Sequence, residues 1–148
     1  MEDLAKLYQI RFSDIKREKK DLVWKVLCKD YFQQFVPPSS TVLEIASGYG
    51  EFIRHISASR KIAVDLNPDS KACLPAGIEF HLGTATDLGM LEDDSIDVCF
   101  SSNFFEHLPN KEVMDQVLIE ARRVLKPGGI YLAMQPNLRC EPGKYWDY

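Results

Sequence analysis

Two acidic residues and a pair of glycines are spaced so that they could hold a nucleotide-like ligand. Glu44 lies near the end of an apolar run, Gly48 and Gly50 follow it, and Asp65 ends a second apolar run 21 positions after Glu44 (65 − 44). Glycine lets a backbone turn tightly and lets a ligand approach where a Cβ atom would block it. In nucleotide-binding βαβ units, an acid at the second strand tip binds the ribose hydroxyls. The spacing therefore predicts an adenosine-type cofactor between the two tips.

The glycine turn does not complete a dinucleotide-binding pattern. That pattern is G-x-G-x-x-G. Gly48 and Gly50 supply the first two glycines, but Ile53 stands at the third position. This difference argues against close packing around a pyrophosphate, so an NAD-type oxidoreductase is the alternative and not the leading interpretation.

Five motifs between residues 41 and 136 resemble, in order, those of class I S-adenosylmethionine-dependent methyltransferases. The first, Glu44-Ile45-Ala46-Ser47-Gly48-Tyr49-Gly50, is similar to acid-x-G-x-G-x-G, with Ala46 in place of the first glycine. The others are Val64-Asp65-Leu66-Asn67-Pro68, Gly83-Thr84-Ala85-Thr86-Asp87-Leu88, Asp97-Val98-Cys99-Phe100-Ser101-Ser102-Asn103 with Glu106-His107-Leu108, and Leu125-Lys126-Pro127-Gly128-Gly129. One such motif is weak evidence, but five in the right order are strong together.

By this resemblance, the first motif would hold the amino-acid end of S-adenosylmethionine. The backbone around Ser47, Gly48 and Gly50 would bind the methionine moiety, and Glu44 would help to orient it. The alternative is a plain turn between a strand and a helix, with no ligand.

The second and third motifs would bind the nucleoside. Asp65 would accept hydrogen bonds from both ribose hydroxyls, and Leu66 would lie against the adenine face. Thr84 stands where the family often has an Asp that receives the adenine amino group, and its hydroxyl bonds less strongly than a carboxylate. The Ala85 amide and Asp87 would share that role. The alternatives are a helix cap for Asp65, a core position for Leu66 and a turn position for Asp87.

The fourth motif would line the pocket near the reactive methyl group. Asn103, Phe104 and Phe105 follow the predicted fourth strand, and His107 is the candidate catalytic base because imidazole groups in general exchange protons near neutral pH. Alignment carries much of the catalysis in methyl transfer, and a base is needed only if the acceptor must lose a proton. The alternatives are aromatic packing against the N-terminal helix and a helix-start histidine bonded to the backbone.

Strands and helices alternate along the chain, which predicts an α/β fold. Strands are expected over residues 41–45, 61–65, 78–82, 95–101 and 130–134, and Asn110 is expected to cap an amphipathic helix that Pro127-Gly128-Gly129 ends. The pattern is typical of a doubly wound, Rossmann-like parallel sheet with helices on both faces, ending after the fifth strand. All the motifs would then lie at the carboxyl ends of the strands, where such folds bind ligands.

The chain is expected to be a single domain over residues 1–148. It divides into an N-terminal helical cap (1–36), a cofactor-binding core (41–136) and a tail (137–148). The apolar stripe of the cap is predicted at Leu22, Val23, Val26 and Leu27, extended by Tyr31, Phe32 and Phe35. Tyr8 and Arg11, which precede that stripe, would reach the cofactor carboxylate.

The end of the chain predicts self-association. Class I methyltransferases usually continue past the fifth strand, so a fragment of a longer protein is one expectation. Residues 130–134 would then form an apolar edge strand, which is a template for pairing with another chain. We therefore expect a homodimer through this edge or through the aromatic tail Tyr145-Trp146-Tyr148.

Composition limits the function classes. The net charge of −4 indicates no general affinity for nucleic acid. The N-terminus lacks a secretion signal and no apolar run reaches membrane-spanning length, so a cytoplasmic protein without membrane contact is expected. The four cysteines lack C-x-x-C spacing, which argues against a metal site and favours reduced thiols. The leading hypothesis is methyl transfer to a small-molecule acceptor, and a non-catalytic, cofactor-binding relative that acts through partners is a further alternative.

Overall fold

Five parallel strands form one sheet in the order β3-β2-β1-β4-β5. The computed structural model describes residues 14–137, with the side chains of residues 14–17 excepted. The strands are β1 (Thr41–Ile45), β2 (Arg60–Asp65), β3 (Ile78–Leu82), β4 (Ile96–Ser102) and β5 (Leu125–Met134). The helices are α1 (Asp14–Asp30), α2 (Glu51–His55), α3 (Ser70–Cys73) and α4 (Lys111–Val124), with 3-10 turns at Phe32–Phe35 and Phe105–His107. The strand order runs outward from β1 in both directions, which confirms the doubly wound fold.

Each face of the sheet carries its own apolar core. On one face, α4 packs Val117, Ala121 and Val124 against Leu43 and other strand residues. On the other face, α1 and α2 pack an aromatic cluster against the sheet, whose members are Trp24, Phe32, Phe52 and Phe100. The rings of Phe52 and Phe100 stack with centroids 3.7 Å apart. Helices therefore cover both faces, as the sequence predicts.

The predicted apolar stripe of the N-terminal helix is wrong. The exposed fractions are 62% for Leu22, 55% for Val23 and 50% for Val26, whereas Trp24 and Cys28 are buried. Leu27 is half-buried, and Tyr31 and Phe35 are exposed, so only Phe32 of the proposed extension belongs to the core. The reason is the larger aromatic area of Trp24, whose ring contacts both Phe32 and Phe100.

The helix before the fifth strand starts as predicted, but the strand starts earlier. The Asn110 side chain accepts a hydrogen bond from the Val113 backbone N at 2.9 Å and caps α4. The strand β5 then begins at Leu125, which pairs with Ile96, and not at residue 130. Pro127-Gly128-Gly129 thus lies inside β5 as a bulge and not in a turn before it. The bulge arises because Ile130 pairs with Val98, so that four residues of β5 stand opposite the single residue Asp97.

Several expectations lie outside the described residues. Tyr8, Arg11 and the aromatic tail Tyr145-Trp146-Tyr148 belong to this group. Within residues 14–137, no helix combines the length and the apolar character needed to cross a membrane. Cys28 and Cys99 are buried free thiols and Cys73 is a half-buried one.

Candidate active site

Backbone hydrogen bonds hold the carboxyl ends of neighbouring strands side by side. The Ser47 N donates to the Val64 O at 3.1 Å, and the Gly83 N donates to the Asp65 O at 3.0 Å. The Asn103 N donates to the Met134 O at 2.9 Å. The residues predicted from sequence therefore lie along one edge of the sheet, which we call the carboxyl edge.

The Asp65 carboxylate bridges the glycine turn and the tip of its own strand. One oxygen, Oδ2, accepts a hydrogen bond from the Gly48 N at 2.7 Å. The other, Oδ1, accepts one from the Asn67 N at 2.8 Å. A carboxylate offers about four lone-pair positions, so two remain for other donors. Asp65 thus stabilises the turn and is also available to ligand hydroxyls.

Three residues of the turn adopt the left-handed backbone conformation. The φ angles are 53° at Ala46, 53° at Gly48 and 73° at Gly50. A Cβ atom at Gly48 would meet nothing within 4 Å, whereas one at Gly50 would overlap the Leu74 side chain and lie 3.2 Å from Ile53 Cγ2. Gly50 is therefore required by packing within the protein, while Gly48 borders open space.

Ser47 presents an unpaired polar atom inside the same turn. The residue is only 3% exposed. Its hydroxyl is one of three buried side-chain polar atoms in the described part of the chain that have no hydrogen-bond partner; the others belong to Ser70 and Gln135. Buried polar groups are nearly always paired, so an unpaired one beside open space is suited to a ligand.

Glu44 lies beneath the turn and not at its surface. It is 4% exposed, and its Oε2 accepts a hydrogen bond from the Ile53 N at 3.0 Å, in the first turn of α2. Burial raises the pKa of the Glu44 carboxyl well above its usual range, and the nearby negative charges of Glu51 and Asp65 add to that increase in pKa. The structure therefore gives Glu44 a supporting contact to α2, and its predicted contact with the cofactor stays a prediction.

Exposed aliphatic side chains lie beside Asp65 at the carboxyl edge. Leu66 is 74% exposed, so its alternative interpretation as a core residue is wrong. Leu82 pairs with Asp65 in the β2–β3 register and is 60% exposed, and Met90, 40% exposed, has its Cε 3.0 Å from where a Cβ at Gly83 would stand. Sequence reasoning missed Leu82 and Met90. For Leu82, the sequence feature that could have indicated a place in the site is its position as the last residue of β3.

The third motif forms a compact loop. The hydroxyls of Thr84 and Thr86 are 2.9 Å apart, and the Thr84 Oγ1 also accepts from the Thr86 N at 3.2 Å. Ala85 is buried, at 8% exposed. The Asp87 Oδ1 accepts from the Gly89 N at 3.0 Å, which favours its alternative role in a turn.

The β4 tip leads into an aromatic segment. Asn103 is exposed and has a φ of 46°, outside the usual range for a residue other than glycine. The Phe105 ring stacks on Tyr131, with centroids 6.1 Å apart, and the Tyr131 hydroxyl lies 2.8 Å from the Ser101 Oγ. His107 ends the following 3-10 turn and is exposed, so its imidazole is open to solvent at this edge.

A pocket of about 480 Å³ lies at the opposite, amino-terminal edge of the sheet. Its lining includes Phe35, Ser40 and the ion pair between Lys126 Nζ and Asp97 Oδ1, which are 2.8 Å apart. Lys126 lowers the pKa of the Asp97 carboxyl, and a hydrogen bond from the Thr41 N lowers it further. None of the predicted site residues lines this pocket, so the carboxyl edge is the better candidate for the chemistry.

A family model described as a methyltransferase domain matches residues 43–133, which is more than half of the chain. The chain belongs to the class I S-adenosylmethionine-dependent methyltransferases. The matched range begins within β1, at Leu43, and covers nearly all of β5. It includes the predicted site residues from Glu44 to His107, whereas Tyr8 and Arg11 precede it.

Curated relatives of this methyltransferase domain are longer than the chain. An uncharacterized methyltransferase of Mycobacterium bovis (strain BCG / Pasteur 1173P2) is 33% identical over 100 residues, which are 64% of this chain and 38% of that protein. An uncharacterized methyltransferase of Mycobacterium tuberculosis (strain ATCC 25618 / H37Rv) is 32% identical, with the same coverage. The chain thus spans about two fifths of the length of the relatives it matches.

Solved structures share the fold. An S-adenosylmethionine-dependent methyltransferase from Mesorhizobium loti has a TM-score of 0.56 and 22% identity over 69% of this chain and 50% of that chain. A chain from the complex between the Haloferax volcanii Trm112 methyltransferase activator and a methyltransferase has a TM-score of 0.60 and 24% identity, over 78% of this chain and 54% of that chain. At these identities the likeness supports the fold alone.

Proposed function

We propose that the protein transfers a methyl group from S-adenosylmethionine to a small-molecule acceptor at the carboxyl edge. The observation that carries this proposal is the contact between the Asp65 carboxylate and the Gly48 N, because it joins the glycine turn to the acid of the second motif. The open space above Gly48 and the unpaired hydroxyl of Ser47 fit a ligand at this point. The family supplies the nature of that ligand.

In this proposal, residues of the first three motifs hold the cofactor. The methionine end lies against Ser47, Gly48 and Gly50, with Glu44 supporting the turn from below. The two free lone pairs of Asp65 accept the ribose hydroxyls. The adenine ring lies against Leu66, which is largely exposed, while the Thr84 hydroxyl and the Ala85 amide bind its polar edge.

The remaining site residues belong to the acceptor side. When bound, S-adenosylmethionine supplies a methyl carbon on a positively charged sulfur, which is a good leaving group. That methyl group would pass to a lone pair of the acceptor, and the sulfur would keep the bonding electrons. Asn103 positions the reactants, and His107 takes the acceptor's proton where the acceptor has one to lose.

Two other functions remain alternatives to methyl transfer to a small molecule, and the titration described below distinguishes them. An NAD-type oxidoreductase is disfavoured because Ile53, at the third glycine position, is fully buried in the core between α2 and the sheet. A macromolecular acceptor, or a domain that acts through a partner, is favoured by one observation only, the likeness to a chain of the Trm112 complex.

Calorimetric titration tests the cofactor assignment. We expect S-adenosylhomocysteine to bind at micromolar levels and NAD not to bind. Asp65→Ala should weaken the binding of S-adenosylhomocysteine by about 1–3 kcal/mol, because hydrogen bonds to the ribose are lost. Asp65→Asn keeps an oxygen that can accept from the Gly48 N. This variant therefore shows whether the lost affinity comes from a disturbed glycine turn or from missing ribose contacts.

Asp69→Ala is the matched control for these Asp65 variants. Asp69 precedes α3 and makes no side-chain capping bond, so its loss should leave affinity unchanged. Unchanged affinity in a folded Asp65→Ala protein would remove Asp65 from the site, and NAD binding would favour the oxidoreductase. Binding of S-adenosylhomocysteine without turnover of any screened acceptor would favour the non-catalytic alternative.

We also propose that two copies pair through the outer edge of β5. Among residues 14–137, this strand pairs with β4 alone, and its Ile130 is 37% exposed. An unpaired edge offers backbone donors and acceptors to a second strand. Sedimentation velocity over a range of concentrations should show a dimer, and a monomer at the highest concentration would contradict the proposal.

A further inference from the structure

Gln135 lies at the acceptor side of the carboxyl edge, directly after β5. Ser102 pairs with Met134, and the Asn103 N donates to the Met134 O at 2.9 Å, so Gln135 follows beside the β4 tip. Side chains alternate between the faces of a strand. Tyr131 packs on the α4 face and Met134 on the opposite one. Alternation from Tyr131 therefore places the Gln135 side chain on the α4 face, where the Phe105 ring lies.

The Gln135 side chain carries a buried donor that lacks a partner. In the part of the chain that the structure describes, Gln135 Nε2 is one of three buried side-chain polar atoms without a hydrogen bond. Leaving such a donor unpaired costs the desolvation of its N–H group without a compensating hydrogen bond. An oxygen atom of a bound molecule would remove that cost.

The surroundings of Gln135 favour a neutral, flat ligand. Residues 101–110 and 131–137 contain a single charged side chain, Glu106, and no Lys or Arg. An anion would be repelled by Glu106 and would find no Lys or Arg within these two segments, whereas a neutral ligand escapes that repulsion. The half-buried rings of Phe104 and Phe105 offer aromatic surface for a second ring.

Asn103 adds a second unusual feature to the same place. Its φ of 46° is sparsely populated by residues other than glycine, and its side chain is exposed. Strained residues of this kind cluster at functional sites. Asn103 and Gln135 are adjacent through the Met134 backbone, so the strained residue and the unpaired donor belong to one location.

We propose that the β4–β5 tip is the acceptor subsite and selects a neutral, ring-bearing molecule through its oxygen. In this subsite, Gln135 Nε2 donates a hydrogen bond to a hydroxyl or carbonyl oxygen of the acceptor, whose ring lies against Phe104 and Phe105. Phenols and aromatic amides have this chemistry. The inference rests on the proposed methyl transfer and adds the chemical class of the acceptor.

Side-chain amide NMR on the full chain tests this subsite. The ¹⁵N-labelled protein is saturated with S-adenosylhomocysteine, and the Gln135 amide pair is assigned by its absence in Gln135→Met. The probes are phenol and benzamide, with benzoate and benzylamine as charged counterparts. We expect phenol and benzamide to shift the Gln135 signals, and Gln135→Met to weaken their binding by about 5–10-fold, the value of one hydrogen bond. Gln116→Met, on the exposed side of α4, should change neither.

The outcomes separate this inference from the proposed function. If S-adenosylhomocysteine itself does not bind, the methyl-transfer proposal fails. If it binds but the neutral probes leave the Gln135 signals unmoved, only the subsite is wrong. Tighter binding of benzoate or benzylamine would overturn the preference for a neutral ligand. If Gln135→Met does not fold, the Gln135 amide signals of the wild-type protein are assigned by triple-resonance spectra. Whether phenol and benzamide shift those signals then decides the question.

Discussion

The two halves of the carboxyl edge are built by different interactions. At the tips of β1 and β2 and in the loop after β3, carboxyl groups accept hydrogen bonds from backbone N–H groups. Glu44 accepts from Ile53, Asp65 from Gly48, and Asp87 from Gly89. At the tips of β4 and β5, aromatic stacking of Phe105 on Tyr131 holds the segment. The first half thus depends on backbone geometry, and the second leaves polar side chains free to vary. This difference suits a site with a constant cofactor and a changeable acceptor.

The largest expected effect is a loss of cofactor affinity from a substitution in the first half of the carboxyl edge. Gly48→Val should reduce the affinity for S-adenosylhomocysteine by more than about 100-fold, because a branched side chain enters the open space and disfavours the left-handed backbone. Phe105→Leu, in the second half, should leave that affinity unchanged. Calorimetry measures both variants, and circular dichroism checks their folding. Normal binding by Gly48→Val would mean that the turn is structural only.

A substitution in the second half is expected to cause a comparable loss, but of turnover and not of cofactor affinity. Once an acceptor is known, His107→Ala should lower kcat by about 100-fold while sparing cofactor affinity, since a general base contributes on the order of 10²–10⁴. Steady-state kinetics over a range of pH would show whether the base-dependent limb disappears. Wild-type turnover would assign catalysis to alignment alone.

Glu44 gives the first half a dependence on pH. Its pKa is raised in the folded protein above the ordinary value of 4.5, so the neutral acid stabilises the fold below about pH 4.5, and that stability is lost as pH rises through the folded pKa. Glu44→Gln removes this loss and still accepts from the Ile53 N. At neutral pH the variant should be more stable by on the order of 1–3 kcal/mol.

Urea unfolding at several pH values measures this effect. The difference in unfolding free energy between the variant and the wild type isolates Glu44, because Asp97 and Glu120, whose pKa values are lowered, are present in both proteins. A difference that does not change with pH would show that the pKa of Glu44 is not raised by folding.

The smallest expected effect concerns backbone strain in the same turn. Ala46 has a φ of 53°, which costs an alanine about 1–2 kcal/mol relative to the usual conformations. Ala46→Gly removes that strain but gains unfolded-state entropy, so we expect a net stabilisation of roughly 0.5 kcal/mol. Thermal unfolding should show a slightly higher Tm, and a lower Tm would mean that the Ala46 methyl contributes more by packing.

Local patterns were sufficient to predict much of the fold. The limits of β3 and the Asn110 cap follow from alternation and capping chemistry, and the closeness of the β1 and β2 tips follows from their places in one parallel sheet. The hydrogen bond between the Gly48 N and Asp65 was not predicted. In contrast, α1 carries two apolar stripes, one with Leu22 and one with Trp24. Periodicity alone does not say which of them faces the sheet.

The rest of the site could not be predicted because it depends on tertiary relations. The exposure of Leu82 follows from the position of β3 at the sheet edge, and the unpaired state of Gln135 Nε2 follows from which groups surround it. The position of Leu82 at the end of β3 was visible in the sequence, but neither its exposure nor the unpaired state of the Gln135 amide is encoded locally. Glu44 could be predicted only in part. Its position before the glycine turn was evident in the sequence, but its burial and its hydrogen bond from the Ile53 N were not.

The bulge of β5 bears on how the fifth motif should be interpreted in other sequences. A Cβ atom at Gly129 would stand 3.0–3.2 Å from three backbone carbonyl oxygens, those of Lys126, Asp97 and Ile96, and none of these can move by changing a rotamer. The Lys-Pro-Gly-Gly run therefore fixes how the fifth strand leaves its helix in this chain. It lies at the edge of the sheet away from the proposed site. In another sequence the run would bear on the path of the fifth strand and not on whether the chemistry is retained.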